Sequence, residues 1–435
     1  MRARAVTGAR LLDPETGYDG PGSVIIAEGV IAEVMRGGAL EHLSPDIEVL
    51  DAEGLVLLPG LVDLRVKTGE PGSEPRETLK SASRAAAAGG VTSMVLQPDT
   101  DPAIDDPAMV DFILRRARDI EGVHVYAAGA ATRRCEGERM AEIGLMREAG
   151  AVYFTDADRP IRDSRVFRRI LAYAGAFGAK VAHRPADPFL TQGACVTEGE
   201  QAARLGLSGA PAVAERIMLE RDLALAELTG AHLIVDQVTT AGALETLRRA
   251  KDRGAAVTAT VSINHLRFNE IDIGDYRTFY HLDPPLRAES DREAVIEALA
   301  SGLIDVVVSA HAPAPAEDKR LPFSESAPGA VGLETLLPAL LAFHHEGRIG
   351  ILDLVRAVTS APAELLGLAA GRIAKGAPAD LVLLDLDAPF KVNADRLTSK
   401  SKNSPFDGRL LEGRVRLTLV DGRTVFSAPH AEMKP

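Results

Sequence analysis

At 435 residues, the chain is too long for one ordinary small domain and suits a large barrel with a satellite domain. Its 46% hydrophobic and 26% charged content is that of a globular protein, and a net charge of −13 without a basic tract excludes a nucleic-acid binder. Two cysteines, Cys135 and Cys195, make neither a CxxC pair nor a disulfide framework, and with no expected signal peptide or membrane span the chain reads as cytoplasmic.

Residues 1–54 are short apolar runs broken by turns, "RAVTGARLLDPETG" and "GSVIIAEGVIAEVM", and read as strands. Residues 371–435 have the same texture. "DLVLLDLDAPF" and "VRLTLVDGRTVF" are strand-like, with Asp421-Gly422 as a hairpin signal. The two ends are therefore expected to pair into one small composite β-sandwich. Between them, residues 55–370 alternate apolar strands with amphipathic helices. The strands are "LVLLPGLVDL", "VTSMVLQ", "VHVYAAG", "AVYFTD", "KVAH", "AHLIVDQ", "AVTATVSIN" and "IDVVVSA". Eight strand-then-helix units predict an α/β chain folded as a (β/α)8 barrel, with its chemistry at the C-terminal strand ends.

Those ends carry Arg65 and Lys67, Asp99, Asp156, His183, Gln237, Asn264 and the pair Ala310-His311. Arg65 and Lys67 are two apart on one strand, so their side chains leave on the same side. A catalytic metal would need several histidines and carboxylates converging on one point. Only Asp156, His183 and His311 qualify here. His124, His232, His265, His281 and the His344-His345 pair read as packing or surface residues.

At these positions the sequence resembles the dihydroorotases of the amidohydrolase superfamily. The resemblance spans nearly the whole chain and is carried by "PGLVDLRVKTGEPG", "GGVTSMVLQPDTDP", "GAVYFTDADRPIRDS", "TTAGALETLRRAKDRGAAVTATVSINHL" and "DPPLRAESDREAVIEALASGLIDVVVSAHAP". It implies an amidohydrolase barrel, zinc chemistry and closure of carbamoyl-aspartate to dihydroorotate. The family's own motifs are altered at selected points. Its His-x-His metal ligands are Arg65 and Lys67, cations that cannot ligate a metal at neutral pH. Its substrate-clamping Arg is Gly69, and its clamping Asn is Asp99. A His ligand is replaced by Gln237, an Asn by Asp283, and the proton-shuttling Asp by Ala310. Asp156, His183 and His311 survive.

The losses fall on ligands, clamps and the proton shuttle, whereas the intervening helices and loops match closely. The resemblance is closest to inactive dihydroorotase-like subunits that associate with aspartate transcarbamoylase. It implies a non-catalytic assembly partner in pyrimidine biosynthesis, in a homo- or hetero-oligomer, with no catalytic residue and no cofactor. Asp156 and His183 are the weak candidates for any metal. The alternative is an active cyclic-amide hydrolase with a reduced metal site, and a third reading is a small-molecule sensor. In the vacated site, Lys67 or Arg65 is expected to pair with Asp156, because a buried lone carboxylate is costly.

Overall fold

The computed structural model describes residues 3–37 and 45–428. The remaining parts of the two expected β segments, residues 1–2, 38–44 and 429–435, lie outside the described residues.

Both termini do build one β unit. Strands Arg4–Asp13, Tyr18–Ala27, Val30–Arg36, Glu48–Asp51 and Val56–Pro59 join Leu381–Lys391, Leu410–Val420 and Arg423–Ser427. They form a single mixed sheet rather than the expected sandwich. The linking element is Val56–Pro59. It runs parallel to the first strand (Arg10↔Val56) and antiparallel to the C-terminal half (Leu381↔Pro59, Leu383↔Leu57), so one ladder crosses from terminus to terminus. The Asp421-Gly422 turn joins the last two strands as expected. Both residues have positive φ, 47° and 69°, the conformation a tight hairpin turn requires.

The run "LVLLPGLVDL" is two strands, not one. Val56–Pro59 belongs to the composite sheet, and Leu61–Val66 opens the barrel. The break is Gly60, whose amide donates to Asp380 O at 2.8 Å. A Cβ there would lie 2.1 Å from Thr92 Oγ1, so only glycine lets the chain pass so close.

The barrel strands follow the expected order: Leu61–Val66, Val91–Leu96, His124–Ala127 continuing as Gly129–Ala130, Phe154–Thr155, Val181–His183, Leu233–Val235, Val257–Ser262 and Val306–Val308. All their pairings are parallel. Helices between them start where polar caps occur. Thr78 caps Leu79–Ala88, Asp106 caps Pro107–Arg118, Asp163 caps Ser164–Ala176 and Thr240 caps Ala241–Asp252. Their apolar faces pack on one set of strand positions in a core that includes Val66, Leu96, Phe154, Val181, Val235 and Val307, while other strand positions, among them Val62, Val95, Ile234 and Val306, form a second cluster.

The strand ladder is not continuous around the barrel. The first two strands and His124–Ala127 form one hydrogen-bonded sheet, and Gly129–Ala130 with the remaining strands forms another. The last strand meets the first at an isolated bridge, Val66↔His311, beside which Lys67 N donates to His311 O at 2.8 Å. Part of the reason is Asp63. Its fully buried carboxylate accepts from the backbone of Arg65 (3.1 Å) and Ser309 (3.3 Å), taking amides that a ladder would otherwise use. Among the described residues no helix is long and apolar enough to cross a membrane.

Candidate functional site

The C-terminal strand ends surround a cavity of about 240 Å³. Its wall includes Arg65, Lys67, Asp99, Gln237, Asp283 and Ala310. With Asn264, which also lines it, seven residues singled out from the sequence thus converge on one mouth. Gly69, Asp156, His183 and His311 do not line it.

Arg65 and Lys67 leave the first strand on the same side, as the two-residue period requires. They do not pair with Asp156. Arg65, only 3% exposed, donates from Nε to Asp236 at 2.8 Å and from its terminal nitrogen to Asp158 at 2.5 Å. Lys67 donates to Asp99 at 2.5 Å and to Asp158 by a very short contact. A third cation, Arg184, makes a bidentate bridge to Asp283 and approaches Asp158 at 3.7 Å. Asp158 is therefore the hub of three cations. Burial alone would raise its pKa, but Lys67, Arg65 and Arg184 outweigh burial and hold the carboxyl well below the usual range. Burial likewise opposes the charged forms of Arg65 and Lys67, and the carboxylates reverse it, so both cations titrate above their ordinary values.

Asp156 stays away because a neighbour already satisfies it. Thr132 donates to it from its backbone, at 2.8 Å, and from its hydroxyl. Desolvation pushes the Asp156 carboxyl up to about 6, against the lowering effect of the Thr132 hydrogen bonds. His183 is equally occupied. Its Nε2 accepts from Ile161 N at 2.8 Å, so Nδ1 carries the proton and donates to Asp222 at 2.6 Å. Neither nitrogen has a lone pair for a metal. His311 is fully buried and faces away from the mouth. Its Nδ1 accepts from Gly332 N at 3.2 Å, and its Nε2 lies 3.7 Å from Glu77.

Gly69 has no room for a side chain. A Cβ would fall 1.7 Å from Ser73 O, on a loop already closed by Ser73 N donating to Gly69 O. Ala310 and Gln237 both have positive φ, 49° and 61°, uncommon for residues other than glycine. Two strand ends thus hold a strained backbone of the kind found at functional sites. Beside the ion pairs, Gln237 Nε2 and Asn264 Oδ1 are buried without a protein partner among the described residues.

Asp158, Asp236 and Arg184 were not picked out from the sequence. Each lies one or two residues from a residue that was: Asp158 follows Asp156 in "TDADRP", Asp236 precedes Gln237, and Arg184 follows His183. The usable signal was charge: two cations entering a mouth call for carboxylates at neighbouring strand ends.

Fold and site together define a barrel scaffold whose mouth holds a compensated set of charged side chains around a small polar cavity. The solved structure of an L-hydantoinase (dihydropyrimidinase) from Arthrobacter aurescens superposes with a TM-score of 0.88 at 25% identity, covering 98% of this chain and 96% of that one. A dihydropyrimidinase from Brevibacillus agri NCHU1002 superposes at 0.85 with 21% identity, covering 98% and 95%, a likeness of fold alone. The family model described as dihydro-orotase-like matches residues 54–242, and that of the amidohydrolase family matches residues 198–425. A dihydroorotase of Anaeromyxobacter dehalogenans is 41% identical over 98% of both chains. Another, from a Wolbachia of Drosophila simulans, is 38% identical over 97% of this chain and 95% of its own. The chain belongs to the dihydroorotase family within the amidohydrolase superfamily.

Proposed function

We propose that this chain is a catalytically silent dihydroorotase homologue whose role in pyrimidine biosynthesis is to hold aspartate transcarbamoylase chains in a complex. The observation that carries this reading is the ion-pair network at the mouth. Arg65 and Lys67 stand at positions where the resemblance implies zinc ligands, and both are anchored by Asp158, Asp236 and Asp99.

A zinc fits this donor set poorly. Any metal near the cations would be repelled by them and would have to take Asp158 or Asp236 from its present partner. The lone pairs of His183 and both oxygens of Asp156 are already engaged. Ala310 offers no acid or base for proton transfer. Asp99 and Asp283 line the same cavity and already engage Lys67 and Arg184, the cations that an anionic substrate such as dihydroorotate would need.

The second reading, an active amidohydrolase of the dihydroorotase type, is favoured by identity of about 40% along the entire length to proteins named dihydroorotase. One experiment separates the two. Purified protein is assayed with dihydroorotate and with carbamoyl-aspartate, with and without added zinc, and then passed over a sizing column with aspartate transcarbamoylase. The silent-partner reading expects no turnover in either direction and co-elution with the transcarbamoylase. Zinc-dependent turnover supports the active reading, and absence of co-elution removes the proposed partner.

A further inference from the structure

On the opposite side of the barrel strands from the mouth, one histidine faces two aspartates. His124 begins the third barrel strand. Asp380 immediately precedes the first C-terminal strand of the composite sheet, and Asp421 sits in its last hairpin turn. His124 Nε2 lies 3.2 Å from Asp380 Oδ2 and 3.8 Å from Asp421 Oδ1. One atom from each of the three falls within 4.8 Å of the others.

Charge and orientation make this more than a chance cluster. Asp380 is 3% exposed, and its other oxygen is taken by Asp421 N at 2.8 Å, which turns Oδ2 toward the imidazole. No Lys or Arg forms an ion pair with Asp380 or Asp421 among the described residues, whereas the acids of the mouth are all matched by cations. Two carboxylates facing one imidazole leave a deficit of positive charge even when the ring is protonated, and the fully buried Asp380 has no other cation beside it among the described residues. Four ligands around zinc at about 2.1 Å stand roughly 3.4 Å apart, close to the 3.2 and 3.8 Å seen here.

We propose that His124, Asp380 and Asp421 form a divalent-cation site, suited to zinc or a similar late first-row metal, that clips the barrel to the composite sheet. Three protein ligands leave the fourth position to water, and Asp421, half exposed, gives the ion its path from solvent. The site is structural. It joins the start of a barrel strand to the strand ends that carry the C-terminal half of the sheet, which are themselves tied together by Gly422 N donating to Ala379 O at 3.0 Å.

The test uses the full-length protein stripped with a chelator. Zn²⁺ is titrated by calorimetry, Co²⁺ by its visible absorption, and the melting temperature is followed with each metal. The expected result is one metal per chain, a tetrahedral Co²⁺ spectrum and a higher melting temperature. Asp421→Asn and His124→Gln should each weaken binding at least tenfold and abolish the thermal gain. Asn tolerates the positive φ at position 421, so that variant folds. No uptake, or equal uptake by wild type and Asp421→Asn, overturns the site. The imidazole then merely bridges the two acids, and the proposed function is untouched. Binding abolished by Asp158→Asn but not by Asp421→Asn would place the metal in the mouth, and both this site and the silent-partner reading would fall.

Discussion

Replacing Arg65 with Met removes the most buried cation of the mouth while keeping a similar length of side chain. Asp236, 6% exposed, would then retain only the Thr260 hydroxyl at 3.3 Å, and Asp158 would keep Lys67 and Arg184. Breaking a buried pair from one side costs about 3–5 kcal/mol. Asp158 is about one-third exposed by its side chain and keeps two cations, so the lower end applies, about 3 kcal/mol. A chain of 435 residues unfolds with an entropy of roughly 0.9 kcal/mol/K, which makes this a fall of about 3 °C in melting temperature. Adding Asp236→Asn removes the orphaned charge and should recover more than half of the loss. Urea unfolding of the wild type, both single variants and the double variant closes the cycle. An Arg65→Met protein within about 0.5 kcal/mol of wild type, or a double variant no better than the single, would refute the view that these cations neutralise a closed acidic mouth.

Asp156, raised to about 6 in the fold, binds protons there more tightly than in the unfolded chain. It should therefore make stability fall as pH rises from about 4 to 6, and Asp156→Asn, with the Thr132 bonds kept, should erase that part of the pH profile. Lys319 runs the other way. Desolvation lowers it to about 7, and its ammonium donates to Thr278 O at 3.0 Å. The unfolded chain holds the extra proton between about 7 and 10.5, so stability should rise with pH across that window and lose the rise in Lys319→Met, as read by unfolding at a series of pH values. Gly69→Ala should cost about 2–3 kcal/mol, because the loop must move to clear Ser73 O, and a near-neutral result in urea unfolding would show that the loop gives way freely.

The order of barrel strands, the pairing of the two termini and the Asp421-Gly422 turn were all legible in the sequence. Each rests on a local signal: apolar periodicity, helix caps and residues that accept positive φ. The same period placed Arg65 and Lys67 on one side of their strand, and seven of the marked residues lie at one mouth. Which carboxylate each cation meets was not local. Asp156 looked like the natural partner because it ends a neighbouring strand, but Thr132, 24 positions earlier, reaches it first. Asp158 takes the cations instead because the chain turns at Ala157, whose φ is 54°. The single mixed sheet was likewise beyond local reading, since it depends on Val56–Pro59 bonding to strands from both ends of the chain. His124 was read as a packing or surface residue, and only the fold brings it to Asp380 and Asp421, about 250 and 300 positions away, because charge pairing depends on distance in space while sequence pattern reports distance along the chain.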